Sequence, residues 1–407
     1  MKKKTLIVLG VNSGTSADGL DLVLLRLGAR AQGRLSLKTL GQRTVSYPSS
    51  FRTCLLELAE KQQVSLEELA LTDEALGDFI GHAALRFIRR TGAPVDLIAS
   101  HGQTIRHLPQ SVEHLGTKVN ATLQIGAPER IAHLAQSPVV SHFRQAHTAI
   151  GGEDAPITTG AVYHALRNPR DSRLLINIGG IANLFYVPAT GHSDYLTSFD
   201  VGPGNALLDL ASEEMFGLPF DRNGRLAASG KISHRLLTLL SGSRFFRQSA
   251  TRSTGREQYG RESFLRIKKL AGKLKLDGHD LLATLAELTA LKIAAAVRPF
   301  QNGDSAVKAL YLSGGGARNR YLVRRLKDSL PGMLIASLQE LGYHPDYFEA
   351  TCFAILGYNC VRSHPSAPPE TPVRRRSAKR TRSLAPILGR ITQPPALIRS
   401  GAWRVMK

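Results

Sequence analysis

The chain has 407 residues, 43% of them hydrophobic, and a formal net charge of +21. That length exceeds a comfortable single core and implies two domains, and no run of about 18 apolar residues marks a membrane span. Cys54, Cys352 and Cys360 are too few and too scattered for a disulfide framework or a zinc site.

The basic charge would attract phosphate backbones. The arginines are dispersed, however, and the densest run, VRRRSAKRTR at 373–382, has no interleaved aromatics to stack bases. A nucleic-acid role is therefore disfavoured. Met1–Lys4 leads into a strand-like run with no signal cleavage region, so a soluble cytoplasmic protein is expected.

The first patterned stretch, Leu6–Leu27, sets two runs of β-branched and leucine residues about a loop of small and polar groups. It reads as strand, phosphate-sized turn, strand. Gly10, Gly14 and Gly19 free the backbone, while Thr15, Ser16 and Asp18 add hydroxyls and a carboxylate. The loop Gly14, Thr15, Ser16, Ala17, Asp18, Gly19, Leu20, Asp21 is the predicted seat of a polyphosphate, with Asp18 the predicted metal ligand. A P-loop needs Gly-Lys-Ser/Thr and a Rossmann loop must open a helix, whereas Asp21–Leu27 resumes an extended pattern.

Arg34–Leu40 and Thr44–Tyr47 read as edge strands, and Phe51–Lys61 and Leu66–Thr91 as amphipathic helices. Val95–Ala99 is a short buried strand ending on Ser100, His101, Gly102, Gln103 and Thr104, side chains predicted to line a cleft. His101 reads either as a base or as a structural histidine orienting the loop. Leu123–Ala127 and a helix over 128–134 close the first lobe, and Ser137–Pro138 marks the crossing into the second.

The second lobe repeats the plan. Arg173–Val187 sets apolar strands about Gly179 and Gly180, with Asn177 and Asn183 as turn residues. Thr197–Asp200 is a strand ending in SFDVGPGN, where Gly202 and Gly204 are candidate nucleotide contacts. Asp200, a carboxylate among glycines at a strand end, suits a base that frees a nucleophile of its proton. The alternative is an Asp that caps the helix starting near Ala206. Ser253–Gly260 is a polar motif whose Arg256 and Glu257 either pair or touch ligand, and Asp280–Val297 is a helix apolar all round. Ala309–Arg320 is a strand ending in Gly314, Gly315 and Gly316, flat enough for adenosine to approach. Asp346–Leu356 is an apolar helix whose one acid, Glu349, needs either a substrate or an internal partner. From His364 to about Thr381 periodicity vanishes and a flexible segment is predicted.

Two glycine hairpins gripping one nucleotide are the device of the sugar kinase, Hsp70 and actin group. GVNSGTSADGLD, SHGQT, TLQIG, NIGGIAN, FDVGPGN, STGRE, LLATLAELTA and SGGGARN, in this order and spacing, closely resemble anhydro-N-acetylmuramic acid kinases over about residues 6–357. The resemblance implies an α/β, two-lobed actin-like ATPase (ribonuclease H-like) fold with a nucleotide cleft between lobes. The lobes would be 1–137, joined by 383–407, and 138–362, with 363–382 a basic Pro-rich flexible segment. It implies ATP and Mg²⁺, and an amino sugar met by Thr104, Arg144 and Glu349. Asp200 would activate the water that opens the 1,6-anhydro ring at C1 while O6 takes the γ-phosphoryl group. A homodimer is an open expectation.

The chain departs from that pattern at His142 and His147, where relatives carry acids, and at Glu153–Asp154, where they carry Gln-Gly. Val201 replaces a usual Thr, and the stretch after residue 364 is eroded. Three readings follow: an active kinase on the anhydro-sugar, a degenerate nucleotide-binding paralogue, or a kinase for another sugar.

Overall fold

The computed structural model describes residues 5–14, 16–29, 35–149, 156–189, 196–242, 259–302, 306–364 and 387–395. Expectations for Thr15, Glu153–Asp154, Arg256 and Glu257, and the segment 365–386 lie outside the described residues.

Two sheets carry the architecture. The first contains β1 (Thr5–Ser13), β2 (Gly19–Ala29), β3 (Leu35–Ser46), β4 (Leu97–Ser100), β7 (Val139–Ser141) and β13 (Arg390–Thr392), in the order β13-β7-β4-β1-β2-β3. Between β4 and β7 a separate two-stranded ribbon is formed by β5 (Gln103–His114) and β6 (Thr117–Ile125). The second sheet contains β8 (Arg173–Ile178), β9 (Ile181–Val187), β10 (Thr197–Pro203), β11 (Ala309–Ser313) and β12 (Leu334–Ser337), in the order β10-β9-β8-β11-β12.

The sheets share one plan. In each, three successive strands form an antiparallel meander, and further strands pair in parallel beside the first member: β4 and β7 beside β1, β11 and β12 beside β8. This duplicated topology is that of two-lobed actin-like ATPases.

The helices are α1 (Ser49–Glu60), α2 (Leu66–Thr91), α3 (Pro128–Ala135), α4 (Phe143–Ala149), α5 (Thr159–Leu166), α6 (Ala206–Phe216), α7 (Arg225–Ala228), α8 (His234–Gly242), α9 (Arg261–Lys273), α10 (Gly278–Val297), α11 (Arg320–Ser329) and α12 (Phe348–Arg362). The longest, α2, is closed by signals written in the sequence. Ser65 Oγ accepts the Glu68 N–H at 3.0 Å, acids occupy the first turn, Arg89 and Arg90 the last, and Gly92 ends it in the left-handed region.

Strands β1 and β2 are apolar on both faces because helices cover both. Leu9, Val11, Leu20, Leu22 and Leu24 pack with α1, α2 and α3. Val8, Val23, Leu25 and Leu27 pack with α12 and α5, and this cluster runs on into Leu175, Phe185 and Val187 of the second sheet. The lobes thus share a core, with α5 and α12 between them. Beneath the second sheet, Leu174, Ile176, Leu184 and Leu310 pack on Ala290, Ile293, Ala294 and Val297 of α10. The all-round apolar sequence of α10 is explained by burial on every side, since α6, α8 and α9 cover its other half.

Two boundaries differ from the sequence reading. The two edge strands over 34–47 form a single strand β3, in which Leu40 is a bulge: Leu24 pairs with Gly41 and Leu25 with Thr39. The bulge breaks the two-residue alternation, so the strand reads as two. Strand β7 belongs to the first sheet, which places Val139–Ser141 with the first lobe and moves the crossing beyond Ser137–Pro138. The C-terminal β13 pairs with β7 and closes that sheet's edge. Among the described residues no helix is long and apolar enough to cross a membrane.

Helix α12 seats on β1 through Gly10, where a Cβ would lie 2.0 Å from the Ala350 carbonyl oxygen and 3.0 Å from Ala354 Cβ. Gly10→Ala is expected to lower unfolding free energy by about 1–3 kcal/mol in denaturant titrations. Gly272→Ala, on the exposed side of α9 with open space around it, is expected to raise it by roughly 0.5–1 kcal/mol.

Candidate active site

The ends of β1, β8 and β11 and the first turn of α12 meet at one side chain. Asn12 Nδ2 donates to Glu349 Oε2 at 3.0 Å, and Asn177 Nδ2 donates to Glu349 Oε1 at 3.0 Å. Ser313 Oγ donates to Asn177 Oδ1 at 3.1 Å. The glycine-rich ends of β1, β8 and β11 are therefore linked where the two lobes meet. Burial raises the Glu349 carboxyl above its ordinary range, against the opposing influence of the two amides and of Arg144.

The first hairpin loop is only partly as the sequence suggests. Ala17 and Leu20 are completely buried in the core under α1 and α2, so neither side chain can touch a ligand. Gly19 is already part of β2, where a Cβ would meet the Val45 carbonyl oxygen at 2.4 Å; close packing, not phosphate, accounts for it. A Cβ at Gly14 would meet only Ser16 Oγ, at 3.9 Å. Asp18 is exposed and paired with Arg52 at 3.1 Å. Asp21 accepts from Thr44 Oγ1 at 2.7 Å and has its pKa raised to about 6, first by burial and further by Glu349 and Asp18, while the Thr44 bond and Arg318 oppose the rise. Behind the loop, Tyr47 donates its hydroxyl to Ser13 Oγ at 3.0 Å, and Ser13 Oγ donates to Gln103 Oε1.

The opposite wall comes from SHGQT and α4. Arg144 Nε donates to His101 Nε2 at 3.0 Å, and His101 Nδ1 bonds the Gly102 carbonyl oxygen at 3.0 Å. Both ring nitrogens are thereby engaged, with the proton on Nδ1, and the ring lies 4.5 Å from Phe353. Burial, then the Arg144 charge, brings the His101 pKa down to about 3. His101 is thus a neutral residue that orients Arg144, and the alternative of a base is removed. Thr104 Oγ1 accepts from Gln124 Nε2 at 3.3 Å, and Gln145, next to Arg144, donates to Gln124 Oε1 at 3.4 Å. Thr104 and the segment bearing Arg144 are thereby joined through Gln124, and the Arg144 charge acts on Glu349.

Asp200 is buried in β10, opposite Asn183 of β9. Phe199 and Val201 pack toward α10, while Ser198 Oγ and Thr159 Oγ1 at the start of α5 lie 2.6 Å apart. Alternation puts Asp200 on the same side of β10 as Ser198, and burial, joined by the Asp200 charge, pushes the Tyr259 hydroxyl up to about 12. It does not cap a helix: the N-cap of α6 is Asn205, whose Nδ2 donates to the Ile178 carbonyl oxygen at 3.2 Å. A bulge follows Asp200, and Gly202 takes φ 149° beside Tyr259 and Lys292. Gly204 is committed elsewhere. Its N–H donates to the Gly180 carbonyl oxygen at 2.9 Å, and a Cβ would meet Gly179 O at 2.3 Å, so it locks two turns together. The hydroxyl lost at Val201 would not have faced the cleft, because Val201 packs into the core.

In the third loop the glycines divide. Gly314, at φ 79°, presses on Asn177 and Ile178 at the end of β8 and Gly316 on Ile178 and Asn205, whereas Gly315 is exposed and a Cβ there would meet only Asn205 Nδ2, at 3.7 Å. A Cβ at Gly14, Gly179 or Gly315 would make only an ordinary contact, with Ser16 Oγ at 3.9 Å, the Ile181 carbonyl oxygen at 3.6 Å and Asn205 Nδ2 at 3.7 Å, so close packing does not account for these three glycines. Among the described residues no group of three or more His, Cys, Asp or Glu forms a ready metal cage. Asp18 and Asp21 fit Mg²⁺ nonetheless, since that ion is commonly held by one or two carboxylates plus phosphate oxygens and water.

Asn12, Ser13 and Tyr47 escaped the sequence reading. One signal could have found Asn12: each hairpin has an Asn two residues before a glycine, Asn12 before Gly14 and Asn177 before Gly179.

The duplicated lobes, each built on a glycine hairpin, define a protein of the two-lobed actin-like ATPase fold. The anhydro-N-acetylmuramic acid kinase family model matches residues 6–388, and the chain belongs to that family. An anhydro-N-acetylmuramic acid kinase of Coxiella burnetii is 36% identical over 373 residues, 91% of this chain and 95% of the relative. That of Caldanaerobacter subterraneus subsp. tengcongensis is 33% identical over 367 residues, 89% of this chain and 92% of the relative. Among solved structures, a ligand-bound xylulose kinase from Lactobacillus acidophilus covers 88% of this chain and 89% of its own at TM-score 0.43 and 9% identity, too distant a likeness to carry argument.

The His101 arrangement has a pH signature. The unfolded chain takes up a proton near 6.5, while the folded chain does so only near 3. The contribution is therefore full above 6.5 and lost as pH falls from there toward 3, by at most about 1.4 kcal/mol per pH unit. Denaturant midpoints at about pH 7, 5.5 and 4 check this. His101→Asn should be less stable at pH 7 and lose stability less steeply on acidification, and parallel profiles would contradict the assignment.

Proposed function

We propose that this chain uses ATP and Mg²⁺ to open 1,6-anhydro-N-acetylmuramic acid with water and phosphorylate it, giving N-acetylmuramic acid 6-phosphate, in cytoplasmic recycling of cell-wall sugar. The observation that carries the proposal is the link between the hairpins: Glu349 is bonded by Asn12 of one and by Asn177 of the other. Asp200 accepts a proton from water as the water oxygen bonds C1. The C1–O6 bond breaks, O6 takes the γ-phosphoryl group, and ADP leaves. Thr104, Arg144 and Glu349 hold the sugar. Gly14, Ser16, Asp18 and the backbone of 17–21 receive the phosphates, and Gly202 and Gly315 leave room for the rest of the nucleotide. Mg²⁺, when bound, supplies charge neutralisation on the transferring group, with Asp18 and Asp21 as its protein carboxylates.

The altered loop argues less strongly for a degenerate paralogue than its sequence suggests. His142 bonds Ser141 Oγ at 2.7 Å, and its charged neighbours are Arg390, Glu129 and Asp73. Burial lowers its pKa, and Arg390 lowers it further. Arg390 lies in β13, Glu129 in α3 and Asp73 in α2, and Glu349 is not among the charges that act on His142.

Incubation with ATP, Mg²⁺ and the anhydro-sugar, read by ADP release and product mass, tests the proposal. Asp200→Asn should lower kcat by about 10²–10⁴-fold with little change in melting temperature. Nucleotide binding without turnover would favour the paralogue, and turnover on another sugar alone would favour the changed specificity.

A further inference from the structure

We infer that Asn12 and Asn177 are positioning residues that yoke the two glycine hairpins through the Glu349 carboxylate, so that the nucleotide loops and the sugar-facing acid keep one alignment. This rests on the reading of the crevice as the kinase site.

Each Glu349 oxygen accepts one amide N–H at 3.0 Å, Oε2 from Asn12 and Oε1 from Asn177. A carboxylate has about four lone-pair sites. Two bonds, one to each oxygen, fix its plane and leave acceptor capacity on both oxygens for hydroxyl or amide donors of a sugar. The donors are neutral, so they orient the carboxylate without cancelling its charge, as Lys or Arg would. The orientation of Asn177 is itself set, because its Oδ1 accepts from Ser313 Oγ at 3.1 Å. Reversing that amide would place its oxygen against the carboxylate. The chain of contacts therefore runs β11–β8–α12–β1, touching three glycine-rich strand ends.

Helix docking does not depend on these bonds. Helix α12 is already held on β1 at Gly10, and Ala350, Phe353 and Ala354 are buried in the shared core. Loss of either amide should accordingly appear in alignment before it appears in folding. A merely structural asparagine would steady its own hairpin alone.

Hydrogen exchange of the full-length chain separates these cases without any ligand. Asn12→Ala should speed exchange about threefold or more in peptides covering 174–184 and 310–319, across the cleft, and Asn177→Ala should do the same over 9–22. In a Glu349→Gln background each cross-effect should vanish. In sugar phosphorylation, each single change should lower kcat about tenfold, and the double change no further, since the two act through one group. Exchange changes confined to the mutated hairpin, or kinetic losses that multiply and persist with Glu349→Gln, would overturn the inference. A wild-type chain without sugar turnover but with intact cross-cleft exchange would instead overturn the substrate and leave the yoke standing.

Discussion

One buried acid shared between two lobes is the constraint on which the site depends. Placing Glu349 in the first turn of an apolar helix is costly, and two amides offset that cost only if they arrive from both sides of the cleft at once. Asn12 must end β1 and Asn177 must end β8 at the same height. The parallel pairing of β11 with β8 then brings Ser313 into place beside Asn177. Sheet register, helix docking and the glycine turns are in this sense one arrangement.

The surrounding chemistry follows from separating charged from neutral groups. His101 is kept uncharged by burial, so Arg144 donates to it and directs its positive charge toward Glu349. Asp21, raised to about 6 first by burial, feels the acids Glu349 and Asp18 and the opposing cation Arg318. A cleft holding several carboxylates near one another gains from a cation and from a polyphosphate that bridges to it. Arg144 and Arg318 give the same cleft its positive counterweights.

Much of the fold was legible because its signals are local. Leu66–Thr91 announces its own caps, the hairpin over 173–187 its turn glycines, and 280–297 its burial. What escaped depended on distant partners. The bulge at Leu40 disguised one strand as two, and three-residue β7 is too short to show which sheet it joins. The ribbon β5–β6 was read only at its Leu123–Ala127 end, because its other residues show no buried alternation. In the site, glycine identity pointed to the right loops but not to each glycine's role. A Cβ on Gly14 or Gly315 would make only ordinary contacts, whereas Gly19, Gly204 and Gly316 are glycine because neighbouring atoms leave no room for one. The roles of Ala17 and Leu20 turned on which face of the loop meets the core, which adjacent residues alone do not reveal.

The apolar cluster between the sheets has a thermodynamic corollary. Val8, Leu25 and Val140 of one lobe and Leu175, Phe185 and Val187 of the other pack in a single continuous interior with α5 and α12. Neither half can melt while leaving its counterpart's interior dry, so the bilobal chain behaves as one cooperative unit. Any opening of the cleft must then be a small pivot about that interior, with the jaws moving and the root staying closed.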